Sequence, residues 1–391
     1  MTGSPSLRIA PGFLADPALR SVLAALPEAR VVGGAVRDAI AGLPVADIDL
    51  ATPARPEDVA RALAAVGLRA VPTGIAHGTI TAIANGRPFE VTTLRRDTET
   101  DGRHARVAWT RDWREDAARR DFTINAISLS PAGEVFDYFG GIADLAARRV
   151  RFVGEPALRI AEDRLRILRF FRFFARYGGE PDRAAVAAIA AAAAGIAGLS
   201  AERVWSELKR ILAAPDPRAA MALMERLGVL AAVLPEATDR AALDRLVTAG
   251  APADPLLRLA ALLSGDPAPV AERLRLSTEE AGRLAAIRAA PLATPSMDDA
   301  SLRRLLADTP AETLIDRVWL GGGDARLRGR LAAMPRPVFP LGGRDAVAIG
   351  MAPGPEVGRA LREVRDWWLA GGCVADAAAC RAELERIAGA E

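Results

Sequence analysis

Val31-Val-Gly-Gly-Ala-Val-Arg-Asp-Ala-Ile-Ala-Gly-Leu-Pro-Val-Ala-Asp-Ile-Asp-Leu50 decides how the rest of this chain is read. Val31 and Val32 have the character of a buried strand end. Gly33 and Gly34 allow close backbone approach, and a helix follows to about Gly42. Backbone N–H groups at such a helix start bind phosphate, and Arg37, one turn in, adds a charge-assisted contact. Asp47 and Asp49 lie one residue apart. If Asp47–Leu50 is a strand, both carboxylates point the same way. Two such groups repel unless a cation sits between them. Oxygen pairs of this kind suit Mg²⁺, whose remaining shell comes from waters and substrate phosphates. Twenty residues thus offer a triphosphate cradle beside a metal pair. The bland alternative is an ordinary strand-to-helix turn with a solvent-facing strand, and the close spacing of the two features argues against it.

Working outward, Glu90 in Phe89-Glu-Val-Thr-Thr-Leu94 lies on a candidate neighbouring strand. It is a candidate third acid and equally an exposed strand residue. Arg119-Arg120-Asp121 precedes the apolar Phe122, Ile124, Ala126 and Ile127, so its charges abut a buried element and need partners. In Glu162-Asp163-Arg164-Leu165-Arg166-Ile167-Leu168-Arg169, Arg166, Arg169 and Arg172 step by three along one ridge of a helix. Ile167, Phe170, Phe171 and Phe174 gather on another side. A solvated basic face would have this pattern. So would a base reader: cytosine and adenine present an exocyclic amino donor where guanine and uracil present a carbonyl. An Asp163 acceptor beside an Arg166 donor, one turn apart, matches C and A and mismatches G and U. Arg169 and Arg172 are expected to support Asp163 or to reach the triphosphate.

At 391 residues the chain has room for two or three domains, and 51% of it is hydrophobic. Strand-like and helical runs interleave up to residue 145, with candidate strands at 31–32, 47–51, 78–84, 89–94 and 127–129. This suggests an α/β or α+β head. From about residue 150 the pattern is helical, with helices expected over 159–177, 183–197, 201–213 and 217–227. Lys209 is the single lysine, and the net charge is +2. Residues 146–176 nevertheless carry nine Arg against three acids, a candidate phosphate-facing patch. Cys373 and Cys380 read as buried thiols in a reducing cytosol. No apolar run of eighteen residues lacks charge and no signal-peptide pattern begins the chain, so a cytoplasmic protein without membrane association is expected.

Taken in order, these motifs resemble the nucleotidyltransferase superfamily and, more narrowly, the class II tRNA nucleotidyltransferases and bacterial poly(A) polymerases. Arg119–Ala126 is similar to that family's ribose-contacting motif, Asp137–Leu145 to its hinge, and Glu162–Arg169 to its base-selecting helix. Gly74–Thr79 resembles a family turn without making His77 catalytic. The resemblance implies an α+β chain: a polymerase β-like head with a mixed sheet over 1–145, a helical neck over 146–215, and a helical body and tail over 216–391. It implies CCA addition to tRNA from CTP and ATP with Mg²⁺ on Asp47 and Asp49; no protein partner is inferred. An A-adding enzyme or poly(A) polymerase on the same fold is the alternative. Catalysis falls to Asp47, Asp49 and Glu90. Nucleotide binding falls to Gly33, Gly34, Arg37, Arg119, Arg120, Asp121, Asn125, Asp163, Arg166, Arg169 and Arg172. Residues 95–118, dense in charge and poor in periodicity, read as a mobile loop. In the family such a loop helps switch from C to A addition, and its full length argues against a CC-only enzyme. Glu202 and Arg203, in a motif similar to one that braces the neck, are expected to be structural. The tail segments Pro340–Asp345 and Pro353–Gly358 resemble those of bacterial members and imply a hold on the tRNA elbow.

Overall fold

The strand ending in Val32 stops because Gly33, at φ +66°, turns the backbone out of the sheet and into a helix. A side chain is disfavoured in that conformation. The computed structural model describes residues 4–74, 78–101 and 104–389; His77 lies outside them. The described strands are β1 (Leu7–Arg8), β2 (Arg30–Val32), β3 (Asp49–Thr52), β4 (Arg69–Gly74), β5 (Thr79–Ala84), β6 (Arg87–Thr93), β7 (Arg95–Asp101), β8 (His104–Trp109), β9 (Ile127–Leu129) and β10 (Glu134–Asp137). Eight form one mixed sheet in the order β1-β10-β9-β2-β3-β6-β5-β4. Its β3–β6 pair is parallel and the others are antiparallel.

The helices α1 (Pro17–Ala25), α2 (Gly34–Ile40) and α3 (Pro56–Ala65) alternate with the early strands. Leu19 and Val22 of α1 and Val59 and Leu63 of α3 are buried with Val31, Leu50, Ile80, Phe89, Val91, Ile127 and Leu129 of the sheet. These apolar residues are withdrawn from water, the main drive for this layer.

Three departures from the sequence reading have physical causes. The strand expected over 47–51 begins at Asp49, because β2 ends at Val32, the partner of Asp49, and offers Asp47 nothing to pair with. β4 carries Pro72, which argues against a central strand. It lies at the sheet edge, where a missing N–H is tolerated. Residues 95–109, read as a mobile loop, form an antiparallel hairpin from Arg95↔Trp109 to Asp101↔His104. The helix α4 (Trp113–Ala118) follows it. Periodicity reports burial of side chains, whereas a ladder needs only backbone groups.

Beyond the sheet come α5 (Gly141–Ala146), α6 (Pro156–Glu162), α7 (Leu165–Tyr177), α8 (Arg183–Ala192), α9 (Ala201–Leu212), α10 (Arg218–Arg226) and α11 (Val229–Val233). The single helix expected over 159–177 is two. Asp163 is extended (φ −153°, ψ 106°), and its Oδ1 accepts from Leu165 N at 3.0 Å, which starts α7 afresh. The Asp137–Leu145 stretch is built on one carboxylate. Asp137 accepts from the backbone N–H groups of Phe139, Gly140, Gly141 and Ile142. A Cβ on Gly141 would meet Thr123 O at 2.1 Å, so only glycine fits that approach.

The chain divides into two compact units, Met1–Val233 and Leu234–Glu391. The second is helical, from Arg240–Thr248 to Ala377–Ala388, with one core around Leu302, Leu306, Leu314 and Leu331 and another around Val364, Trp368 and Leu384. Cys373 and Cys380 are buried there as free thiols. Among the described residues no helix is long and apolar enough to cross a membrane.

Candidate active site

One cavity of about 990 Å³ gathers thirteen of the fourteen candidate residues: Gly33, Gly34, Arg37, Asp49, Glu90, Arg119, Arg120, Asp121, Asn125, Asp163, Arg166, Arg169 and Arg172. Asp47 alone is outside its lining, exposed on the approach to β3. An aromatic cluster joins α7 to the segment that carries Arg119–Asp121. Phe122 packs on Phe152 (4.8 Å between ring centroids), Phe173 (5.2 Å) and Phe170 (6.3 Å). These contacts seat Arg119–Asp121 against the arginine ridge of α7. Every aromatic residue expected to lie on the apolar side of that helix is buried, with Phe173 in addition.

At the sheet end, Asp49 and Glu90 are register partners across the parallel β3–β6 pair. Among the described residues neither they nor Asp47 forms an ion pair. Burial, helped by the neighbouring charges of Glu90 and Asp47, pushes the Asp49 carboxyl above its usual range, and Arg120 opposes this. Acids held together without a cation make the oxygen donor set that Mg²⁺ prefers. The described residues contain no group of three or more His, Cys, Asp or Glu placed to hold a metal. A pair of carboxylates is a number that would leave room for waters and phosphates around such an ion.

Beside the acids, the glycine turn is flanked by two guanidinium groups. A Cβ on Gly33 would lie 3.1 Å from Arg120 Nη1, and one on Gly34 would lie 3.6 Å from Arg37 Nη2. Arg37 Nη1 donates to Asn125 Oδ1 at 2.5 Å and Nε donates to Asp38 Oδ1 at 2.9 Å. Asn125 Nδ2 donates to Asp121 Oδ1 at 2.9 Å, and Arg169 Nε donates to Asp121 Oδ2 at 2.7 Å. Burial alone would raise the Asp121 pKa. Arg169, the Asn125 amide and the Phe122 N–H outweigh it and hold the carboxyl below its usual range. For Arg169, Asp121 likewise outweighs burial and holds the pKa up.

The remaining arginines are also held. Asp116, buried in α4, accepts from Arg119 Nε at 2.8 Å and Arg120 Nη2 at 3.4 Å. Burial raises its pKa, but these two cations bring it below the usual range. Arg166 pairs with Glu162 and donates to Arg119 O at 3.3 Å. Asp163 Oδ2 accepts from Arg203 Nη2 at 2.7 Å. Arg172 Nη1 reaches the buried Glu207 at 3.3 Å, and burial lowers its pKa to about 10.

Of the two roles expected for Arg169, its hydrogen bonds go to Asp121 rather than Asp163, and Arg203, expected to be structural, holds Asp163 and lines the cavity. Sequence reasoning did not single out Asp38, Asp116, Tyr177 or Glu207 as site residues. Asp38 had a signal, since it directly follows Arg37. Asp116 had one too, three and four residues before Arg119 and Arg120, whereas Tyr177 and Glu207 meet their partners across 139 and 35 residues and had none.

Residues 29–151 match the Poly A polymerase head domain family, and 180–240 match the family described as probable RNA and SrmB-binding site of polymerase A. The chain is 37% identical over 359 residues to CCA tRNA nucleotidyltransferase 1, mitochondrial, of Danio rerio, covering 87% of this chain and 83% of the relative. It is 40% identical over 211 residues to the CCA-adding enzyme of Anoxybacillus flavithermus, 54% and 52% of the two chains. Among solved structures, the Bacillus stearothermophilus CCA-adding enzyme in complex with CTP matches with a TM-score of 0.79 and 27% identity, over 96% of this chain and 98% of that one.

Proposed function

Because the chain belongs to the CCA tRNA nucleotidyltransferase family, we propose a division of the family's work among the residues of this cavity. The enzyme adds or repairs the 3′-terminal CCA of tRNA from CTP and ATP without a nucleic-acid template. The tRNA 3′-hydroxyl attacks the NTP α-phosphate and pyrophosphate leaves. The single observation that supports the division best is the convergence in one cavity of Asp49 and Glu90, the glycine turn with Arg37, and Asp163 with Arg166.

On this reading Gly33, Gly34 and Arg37 bind the triphosphate. Arg119 and Arg120, aimed by Asp116, hold the sugar and phosphate side, with Asp121 and Asn125 fixing Arg169 and Arg37 beside them. Asp163, fixed by the Leu165 N–H and Arg203, presents an acceptor to the exocyclic amine of C or A, and Arg166 a donor. Arg172 lines the same wall. Asp49, with Asp47 and Glu90 near it, would hold Mg²⁺, which when bound lowers the pKa of a hydroxyl and neutralises charge on phosphate. The acids orient that end of the cavity and the arginines offset the triphosphate charge, so that positioning and electrostatics supply most of the catalysis.

We assign 1–145 as the catalytic head, 146–215 as the base-selecting and RNA-binding neck, and 216–391 as the tRNA-binding body and tail. We place the enzyme in the cytoplasm, where the buried free thiols Cys373 and Cys380 suit a reducing compartment. Incorporation of each labelled NTP into tRNA ending at the discriminator base tests the function. Two C followed by one A is expected. A alone, or long A tails, would move the enzyme to the A-adding or poly(A) reading.

A further inference from the structure

Arg37 is held far more closely than a surface arginine needs to be. Its guanidinium sits 4.5 Å from the ring centroid of Tyr177 and 5.0 Å from that of Phe173, both on α7. Its Nε donates to Asp38 Oδ1 at 2.9 Å, and the Tyr177 hydroxyl donates to the same oxygen at 2.5 Å. Asn125 takes Nη1. Nη2, beside Gly34, has no partner among the described residues. The side chain is thus fixed by an aromatic shelf and two acceptors, with one nitrogen left over at the glycine turn.

We infer that Tyr177 and Asp38 are positioning residues that clasp Arg37 across α2 and α7, so that its free nitrogen meets the β- and γ-phosphates of the incoming nucleotide. The inference rests on the reading of Arg37 as a triphosphate contact. Arginine loses much side-chain entropy when it is ordered, and a site that orders it beforehand binds more tightly without any new contact. The clasp suits that task. The shared Asp38 oxygen sets the distance between Tyr177 and Arg37, and the ring face attracts the cation. Burial, reinforced by Asp38 against the opposing pull of Arg37, raises the phenol pKa to about 12, so its donor proton is present at any working pH. Because Tyr177 closes the helix that carries Arg166, Arg169 and Arg172, the clasp also ties the phosphate end of the cavity to the base-reading helix.

The test compares dissociation constants for CTP and CMP, with Mg²⁺, in full-length wild type, Tyr177→Phe, Arg37→Ala and the double variant, with thermal unfolding of each. Tyr177→Phe keeps the shelf and removes one hydrogen bond. It should weaken CTP by about threefold to tenfold, leave CMP within about twofold, and add nothing in the Arg37→Ala background. Asp38→Asn keeps an oxygen for the phenol but loses the charge, and should show the same CTP-selective weakening. Unchanged CTP binding in either conservative variant overturns the clasp. So does equal weakening of CTP and CMP, or a Tyr177→Phe effect that persists without Arg37, since each describes a merely structural role. If Arg37→Ala leaves CTP binding unchanged while the wild type still adds C, C and A, the clasp falls and the proposed function stands.

Discussion

The acids in and around the cavity fall into two groups held in opposite ways. On the arginine wall, Asp116, Asp121, Glu162, Asp163 and Glu207 each pair with at least one guanidinium. At the β3–β6 pair, Asp49 and Glu90, with Asp47 just before β3, have no ion pair among the described residues. Yet arginine is abundant throughout the cavity. The pKa shifts follow the same division: Asp121 and Asp116 are held down by their arginines despite burial, while Asp49 is pushed up by burial and by its fellow acids. The paired acids serve to aim arginines. On the proposed reading the unpaired ones are left open to a cation that arrives from solution, and the contrast separates residues that shape the site from residues that act in it.

Substitutions on the two sides should therefore fail differently. Asp49→Asn is expected to lower kcat for C addition by on the order of 10²- to 10³-fold, with the melting temperature unchanged or raised because a repulsion is relieved. A variant that unfolds, or that keeps its activity, would break the comparison. Asp121→Ala should do the reverse and cost about 1–3 kcal/mol of stability by leaving the half-buried Arg169 and the Asn125 amide without the buried carboxylate they share, measured by denaturant unfolding. Loss of activity at full stability would move Asp121 to the acting group.

Asp163→Asn brings an amide donor to the acceptor's position. It should erode the preference for C and A over U and G by about 1–3 kcal/mol, read from incorporation of all four NTPs in competition; an unchanged preference would take Asp163 out of base selection. The smallest effect concerns pH. The folded pKa of Asp121 lies below its unfolded value, so its contribution is complete above the unfolded value and disappears as pH falls through the folded one. The stability gap between wild type and Asp121→Asn should accordingly narrow as the solution is acidified below the usual carboxylate range. A gap that widens there would contradict the pairing with Arg169.

Much of the site was legible because its chemistry is written in short spacings. Gly33-Gly34, Asp47-x-Asp49, Arg119-Arg120-Asp121 and Asp163 with Arg166 each announce a local geometry, and all but Asp47 reach the cavity. What stayed hidden is pairing across distance. Nothing near Arg169 in sequence names Asp121, 48 residues away, as its partner, and nothing near Asp38 names Tyr177, 139 residues away. The split of the 159–177 helix was hidden for a different reason. Its helical periodicity runs through Asp163, and only the side-chain cap on Leu165 shows the break. The hairpin over 95–109 lacks apolar alternation, so its ladder left no trace in composition.

By itself the sequence determined an α+β head with helices after it, an apolar face and an arginine ridge on one helix, and the short motifs that meet in one cavity. It could do so because turns, periodicity and the repulsion of adjacent charges act over a few residues. Only the tertiary structure decided which arginine each acid would hold and which acids would be left without one. Opposite charges find each other through folded space, and in a chain whose basic residues are nearly all arginine, composition offers no way to tell one candidate partner from another.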